Sequence, residues 1–596
     1  MKKNVVKIGV LLLLIVSLLS VSKLLVPKKT MDKVNNSINR KRFAMYKREL
    51  GGEYEEVTNA NNFPIGIYKL NKEKSYCLNN SGEREEPSYS FTNGYMTVTS
   101  NKTIYCTLYF DAYFAGDGTQ SSPYKIQKIE DLVNLSNLVN GGNSFAGKEF
   151  ILESDLDFNQ DSSYENATRT DYGDVNGDSI TEGIKVELTK TTGSGFIPIG
   201  NSNSFSGNFN GDNHNIDNLY INNSQLSRVA FFGKSVGSTI SNLTLSGNVN
   251  SNSDNTNVAG LVASANGTML IENINNKVTV NDEAASSYNV AGLAASINGN
   301  ITIKNSINDA DITSSSGTTG GLVGGCWNYT SNIIIENSVN YGDVFAENNV
   351  GGIMGGTYSP LKIKNVVNNG DIEANIYDHN VGGIIGYVGG NTILYNSHNS
   401  GNIIVNNKEN HEGKGAIGGL CGASEELLLL NSYNLGNITV NMIDSETPSV
   451  STGGLIAFTN NSAKTVSIIN SYNIGTISSL NTVGGIFAFS TNTSLIINNV
   501  YNFGNVTGSP KYGIGKFDNA PNTSNNVYYL NNISGSNNSS YPGTGMASTD
   551  FNRQEFVNTL NSNVNNIDLS AINSEYSEFT VKLWKLGPNG YPVFDD

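Results

Sequence analysis

The chain has 596 residues and a net charge of −15. That length exceeds one compact domain unless the chain is a solenoid, and the acidic balance argues against a nucleic-acid partner. Charged residues are 15% and glycine fills 63 positions, a polar, turn-rich β composition whose regular aliphatic columns separate it from disorder.

Residues 1–7 carry three lysines, and residues 8–26 are apolar except for Ser17, Ser20, Ser22 and Lys23. This is an export segment. Ser20-Val21-Ser22 has the small-x-small pattern of a cleavage site. The apolar run also approaches the length of a bilayer span, with Lys23 snorkelling to the interface. Residues 1–26 therefore read as a signal peptide or as a membrane anchor. Residues 27–53 are a polar, basic stalk with Arg40-Lys41-Arg42 and Lys47-Arg48, expected to be helical. Residues 54–115 carry short alternating strands at 95–98 and 104–110, which predict a small β-domain. Cys77 and Cys106 lie in this exported segment, as a disulfide or as two buried thiols.

Residues 116–250 are expected to hold an N-terminal cap and the first coils of a solenoid. The spacing of Ile129, Leu132, Val133, Leu135 and Leu138 predicts a capping helix over 128–139. An insertion follows at 161–195. Within it, Asp174, Asn176 and Asp178 present oxygens at alternate positions, as a calcium loop does. Gly177 comes two positions too early for that loop, and Lys185 stands where its acidic twelfth ligand belongs. A polar loop is the alternative.

Residues 251–534 are built from two alternating phrases. One is a small pair followed by apolar residues: Ala259-Gly260-Leu261, Gly320-Gly321-Leu322, Gly351-Gly352-Ile353, Gly382-Gly383-Ile384, Gly453-Gly454-Leu455. The other is Asn-(Ser/Val)-x-Asn-x-Gly-(Asp/Asn)-(Ile/Val), at 337–344, 365–372, 396–403, 431–438 and 499–506. A copy at 305–312 has Ala310 for the glycine. Repetition at a period of roughly 30 residues means stacked units that cannot bury their own apolar faces alone. Two residues before each opening asparagine lie Ile271, Ile303, Ile335, Ile363, Leu394, Leu429, Ile468 and Ile497. Period two puts this column inside, and by the same count it puts the opening asparagine inside, in a stacked amide ladder. The residue just before it should face out, where Glu272, Lys304, Glu336 and Lys364 alternate in sign. Three short strands per unit, wound in parallel, give about nine coils some ~4.8 Å apart. Cys326 and Cys421 follow apolar corners and are expected to be buried thiols.

Gly-Gly-Leu-Val-Gly at 320–324 and Gly-Gly-Ile-Met-Gly at 351–355 resemble the GLUG motif of bacterial surface proteins. So does the lead-in: Ser122-Pro123-Tyr124, Asp155-Leu156-Asp157-Phe158, Phe196-Ile197-Pro198-Ile199-Gly200 and the run 205–211. The resemblance covers roughly 116–534. It implies an adhesin-like parallel β-helix on a bacterial surface, and it implies no activity.

Residues 535–596 read as a C-terminal cap. Thr549 would cap a helix over 550–561, with Phe551, Phe556, Val557 and Leu560 on its apolar side. Trp584 and 591–594 would form a closing strand, and together these elements would cover the C-terminal end of the solenoid. The fold expected is all-β: a parallel β-helix solenoid with capping helices, preceded by an N-terminal hydrophobic helix and a small β-domain.

The sequence offers no catalytic cluster. Asp343 and Asp371 occupy a turn slot that is asparagine in other copies. His214, His379, His398 and His411 lack metal spacing, and His398 takes a slot held elsewhere by Tyr433, Tyr472 and Tyr501. The expected function is non-catalytic: an exported adhesin or envelope structural protein. Its partner would be a glycan or a host or matrix protein, met by outward strand positions and the loops 408–414 and 444–451. Calcium is the single candidate cofactor. The membrane is a further partner if the first segment is uncleaved. A polysaccharide lyase or glycosidase on the same scaffold is the alternative, and a pure spacer is a third reading.

Overall fold

The computed structural model describes residues 4–8, 43–50, 52–58, 68–92, 95–100, 103–160, 169–170, 183–184, 194–376, 378–407, 414–441, 449–459, 464–491, 494–517, 523–531 and 543–595. Contacts divide the chain into two compact units. The first holds 1–156, 161–186 and 202–210; the second holds 157–160, 187–201 and 211–596.

In the first unit, Ile104–Ala112 is the centre of a small sheet. It pairs in parallel with Phe43–Arg48 and antiparallel with Tyr68–Leu70 and Tyr76–Asn79. The stalk expected over 27–53 is thus part sheet. Its alternation sends Met45 into a core with Leu70, Val98, Leu108 and Phe110. Asn4–Ile8 is also a strand, paired with Tyr95–Ser100, and not the start of a helix. The rest of the apolar segment expected as an anchor lies outside the described residues. Among the described residues, no helix is long and apolar enough to cross a membrane. The helix expected over 128–139 runs Ile129–Asn140, with the Asp131 side chain accepting from the Lys128 backbone N–H at its start. Phe114, Tyr124, Phe145, Phe150 and Phe205 pack ring against ring beside it.

The second unit is a parallel β-solenoid. One of its walls is a ten-stranded sheet with one strand per coil. A coil contains five strand segments and not three. Thr318–Gly320, Val323–Cys326, Asn332–Glu336, Val339–Asn340 and Val344–Ala346 make one coil, and each pairs in parallel with its successor. The inner aliphatic column is buried as its spacing requires: Ile271, Ile303, Ile335, Ile363, Leu394, Leu429 and Ile497 have no exposed surface.

The opening asparagines do stack as an amide ladder, Asn365 on Asn337, Asn396 on Asn365, Asn470 on Asn431 and Asn499 on Asn470, but they do not point inward, which corrects the period-two count. Asn305, Asn337, Asn365, Asn396, Asn431, Asn470 and Asn499 have φ between +47° and +60°. Asparagine tolerates this left-handed conformation better than most residues. One such residue breaks the alternation, so the next two inward positions are the following Ser or Val and the second asparagine. Asn276, Asn308, Asn340, Asn368, Asn399, Asn434, Asn473 and Asn502 form the buried ladder, each Nδ2 from Asn276 to Asn473 donating to the Oδ1 of the next coil at 2.8–2.9 Å. From Asn340 on, each also donates to the carbonyl of the motif glycine two residues later. A buried amide with both donor and acceptor satisfied specifies register at little cost. The glycine pairs face this ladder. A Cβ on Gly352 would lie 2.3 Å from the Asn368 amide carbon and 2.3 Å from the Gly383 carbonyl oxygen. The two repeated phrases are therefore halves of one contact.

The C-terminal segment first adds a strand, Thr544–Met546, on the last solenoid strand Thr523–Leu530 and then continues as a strap along the side. The helix expected over 550–561 is two helices, Ser548–Phe551 and Gln554–Val564, and Thr549 lies inside the first. The break between them lets both Phe551 and Phe556 pack on Tyr501. Residues 567–581 then run back along the side of the solenoid over Ile393, Leu428, Leu430 and Ile469. Lys362 meets Glu578 at 2.6 Å at the far end. Strap backbone bonds the opening asparagines: Asn431 Nδ2 donates to the Thr580 carbonyl, Asn470 Nδ2 to the Lys582 carbonyl. Trp584–Leu586 and Pro592–Phe594 close as a hairpin over Tyr472.

Candidate functional site

The repeat carboxylates come into line, but as part of the wall. The Asp343 N–H donates to Asp311 Oδ1, the Asp371 N–H to Asp343 Oδ1, and the Asn402 N–H to Asp371 Oδ1, at 2.6–2.9 Å. The same bond continues through Asn402 and Asn437 to the Thr476 N–H. An acceptor oxygen is what the slot requires, and Asp and Asn supply it equally. Asp282, which the sequence reading passed over, is buried in an inward column with Ser287 and Ser314 hydroxyls donating to it. Burial pushes its carboxyl above the ordinary range.

His398 is a column member. Its ring stacks on Tyr433 at 4.5 Å, and the stack continues through Tyr472 and Tyr501 at 4.7 and 5.1 Å. Asp174, Asn176 and Asp178 lie outside the described residues, as do 408–413 and 444–448 of the two loops expected to meet a ligand. Among the described residues, no group of three or more His, Cys, Asp or Glu is placed to hold a metal. Cys77 and Cys106 sit opposite each other on antiparallel strands, bonded as a disulfide with Cα atoms 4.0 Å apart. Cys326 and Cys421 are buried free thiols, and burial pushes the Cys421 thiol up to about 12.

A shallow cleft of about 360 Å³ opens in the first unit between Lys47, Tyr68, Phe114, Asp117, Tyr124 and Lys148. Both of its lysines are engaged: Lys47 Nζ donates to Glu49 Oε1 at 3.2 Å and Lys148 Nζ to the Asp117 carbonyl at 3.0 Å.

The solenoid carries a second surface feature, which the sequence reading missed. Outward residues of the strands after the glycine pairs align in register as Gly325, Gly356, Tyr387, Ala423, Phe458 and Phe489. Where this column is glycine, rings from the following loops lie over it. A Cβ on Gly356 would be 2.7 Å from the Trp327 ring. Trp327 and Tyr358 meet edge to face at 5.0 Å, Tyr358 and Tyr387 at 5.8 Å, and Tyr329 stacks on Tyr358 at 5.2 Å. Tyr329 is 74% exposed. The Tyr387 hydroxyl donates to Glu425 at 3.0 Å, and burial with this carboxylate holds the phenol well above its ordinary range. The signal available in the sequence was the alignment of copies, with Tyr387, Phe458 and Phe489 falling in one slot.

No family model matches the chain. A segment of 177 residues is 30% identical to Halomucin of Haloquadratum walsbyi; the match spans 29% of this chain and 2% of Halomucin. A solved Bacteroides ovatus structure, provisionally assigned as an immunoglobulin A1 protease, aligns over 81% of this chain and 96% of its own. Its identity is 15% and its TM-score 0.27, too low to carry an argument.

Proposed function

We propose that the chain is an exported, non-catalytic surface protein of the adhesin or envelope type, whose solenoid presents a face that binds a glycan or a protein. The observation that carries this reading is the carboxylate line. Asp311, Asp343 and Asp371 each spend an oxygen on the backbone of the next coil. Glycoside hydrolysis needs two carboxyl groups facing each other across a substrate, one of them with a raised pKa. A stacked row with an amide equivalent at the next step does not supply that pair.

Export is supported by the lysine-led apolar run at 1–26 and by the Cys77–Cys106 disulfide, which persists outside a reducing cytosol. The GLUG-like phrases at 320–324 and 351–355 are consistent with a bacterial surface location. Calcium remains a candidate only for the segment around Asp174.

The experiment is incubation of the full chain with a panel of plant, mucin and microbial polysaccharides, with and without calcium. Retention and release of new reducing or unsaturated ends are read in parallel. Binding without release is the expected result. Release of ends would overturn the reading in favour of a polysaccharide-degrading enzyme.

A further inference from the structure

We propose that the ring cluster of Trp327, Tyr329, Tyr358 and Tyr387 is a binding site for a neutral glycan. This rests on the reading of the chain as a surface binding protein and gives it a contact face. The rings come from three successive coils, so the solenoid steps them along its wall at about 4.8 Å per coil. Gly325 and Gly356 clear the wall beneath them. The three inner rings are half-buried, with Tyr358 edge to face against both Trp327 and Tyr387 and Trp327 stacked towards Tyr387 at 6.4 Å, while Tyr329 is added on the outside with most of its surface in water.

An exposed ring held in a fixed stack offers a flat apolar face with negative potential at its centre. The C–H face of a pyranose ring is the complementary surface, apolar and slightly positive. Binding sites pair such faces with a few polar groups that fix orientation. Here that group is the Glu425 carboxylate on Tyr387. The Asn328 amide beside the rings is spent within the fold, its Oδ1 accepting from the Thr330 and Ser331 N–H groups and its Nδ2 donating to Asn298. The sugar's hydroxyls donate to the carboxylate.

Charge selects among glycans. The charged group bonded to the rings, Glu425, is an acid, the neighbouring Glu426 is paired with Lys464 at 2.6 Å, and the chain carries −15 overall. Uronic acids, sialic acids and sulfated sugars would be repelled. A protein partner would need about 800 Å² of matched surface on its side, and a patch of four rings is small for that role.

The test uses the full chain, with binding read by tryptophan emission during titration with neutral oligosaccharides and, separately, with acidic ones. The chain has two tryptophans, and Trp584 is 2% exposed, buried between its own hairpin and the solenoid, so a ligand-dependent change reports on Trp327. The expected result is a saturable change with a neutral glycan and none with an acidic one. Tyr329→Ala should weaken binding about tenfold and Tyr358→Ala more, with unfolding temperature unchanged for Tyr329→Ala. Binding of a neutral glycan that is indifferent to both substitutions would sink the site while leaving the surface-binding reading intact. Binding of acidic glycans alone, or of no glycan in the panel, would sink the ligand class. Release of reducing ends would instead sink the non-catalytic reading on which the inference rests.

Discussion

The early and late coils share an interior and differ on one outer column. In the early coils that column reads Glu272, Lys304, Glu336, Lys364, in cross-strand register, with Lys304 and Glu272 at 2.9 Å. In the late coils the same column reads Tyr395, Leu430, Ile469, again in register, and Leu430 and Ile469 are fully buried beneath the strap. The asparagine ladder runs through both regions, and the small pair facing it changes only from Ala-Gly at 259–260 and 291–292 to Gly-Gly from 320 on. Interior columns thus set the coil, and the exterior column sets what the coil is covered by: water in one stretch, the chain's own tail in the other.

The sharpest way to break this comparison is to remove the tail. Truncation before Ser548 would uncover Ile393, Leu428, Leu430, Ile469, Tyr472 and Tyr501 together. Each such side chain is stabilised by about 1.5–3 kcal/mol through burial. The truncated chain should bind a hydrophobic dye and self-associate in size-exclusion chromatography. A chain with residues 272, 304, 336 and 364 all changed to alanine should remain monomeric.

An interior change should instead weaken both stretches alike. Asn368→Ala removes the acceptor of Asn340 and the donor to Asn399 and to the Gly370 carbonyl. Leaving buried polar groups unpaired costs about 1–3 kcal/mol each, so a loss of about 3 kcal/mol is expected in urea unfolding. Asn434→Ala, beneath the strap, should lose a similar amount. A large difference between the two would mean that the strap supports the interior as well as covering it.

Reduction of Cys77–Cys106 should cost the first unit about 3 kcal/mol, because it opens a loop of 29 residues. Proteolysis of the reduced chain should then cut between residues 68 and 112 and leave the repeats whole. The smallest effect is expected on the open column. Lys304→Glu sets three acids in a row there, and a partly exposed pair is worth under about 1 kcal/mol. The loss should shrink further in high salt.

The comparison also marks what could be read from the sequence. The aliphatic column at Ile271 to Ile497 follows from spacing alone. The inward asparagine was misassigned, because one left-handed residue at Asn337 and its equivalents reverses a period-two count, and no count detects that reversal. The apolar turn of the outer column at Tyr395 was visible in the aligned copies. Its cover was not, because Leu569 and Phe579 lie more than a hundred residues away and reach it only once the chain is wound. The ring cluster was hidden for a related reason: coil lengths vary from 28 to 39 residues, so Trp327, Tyr358 and Tyr387 share no simple spacing.

The measurement closest to the central claim is made on the row of acids. Asp343→Asn with Asp371→Asn keeps an acceptor oxygen in each slot, as Asn402 and Asn437 do in the coils that follow. Assayed beside the unaltered chain against polysaccharides, the double variant should match it in glycan retention, in unfolding temperature and in releasing no new reducing ends. Reducing ends released by the unaltered chain and abolished in a variant that still folds would contradict the account and make these carboxylates catalytic.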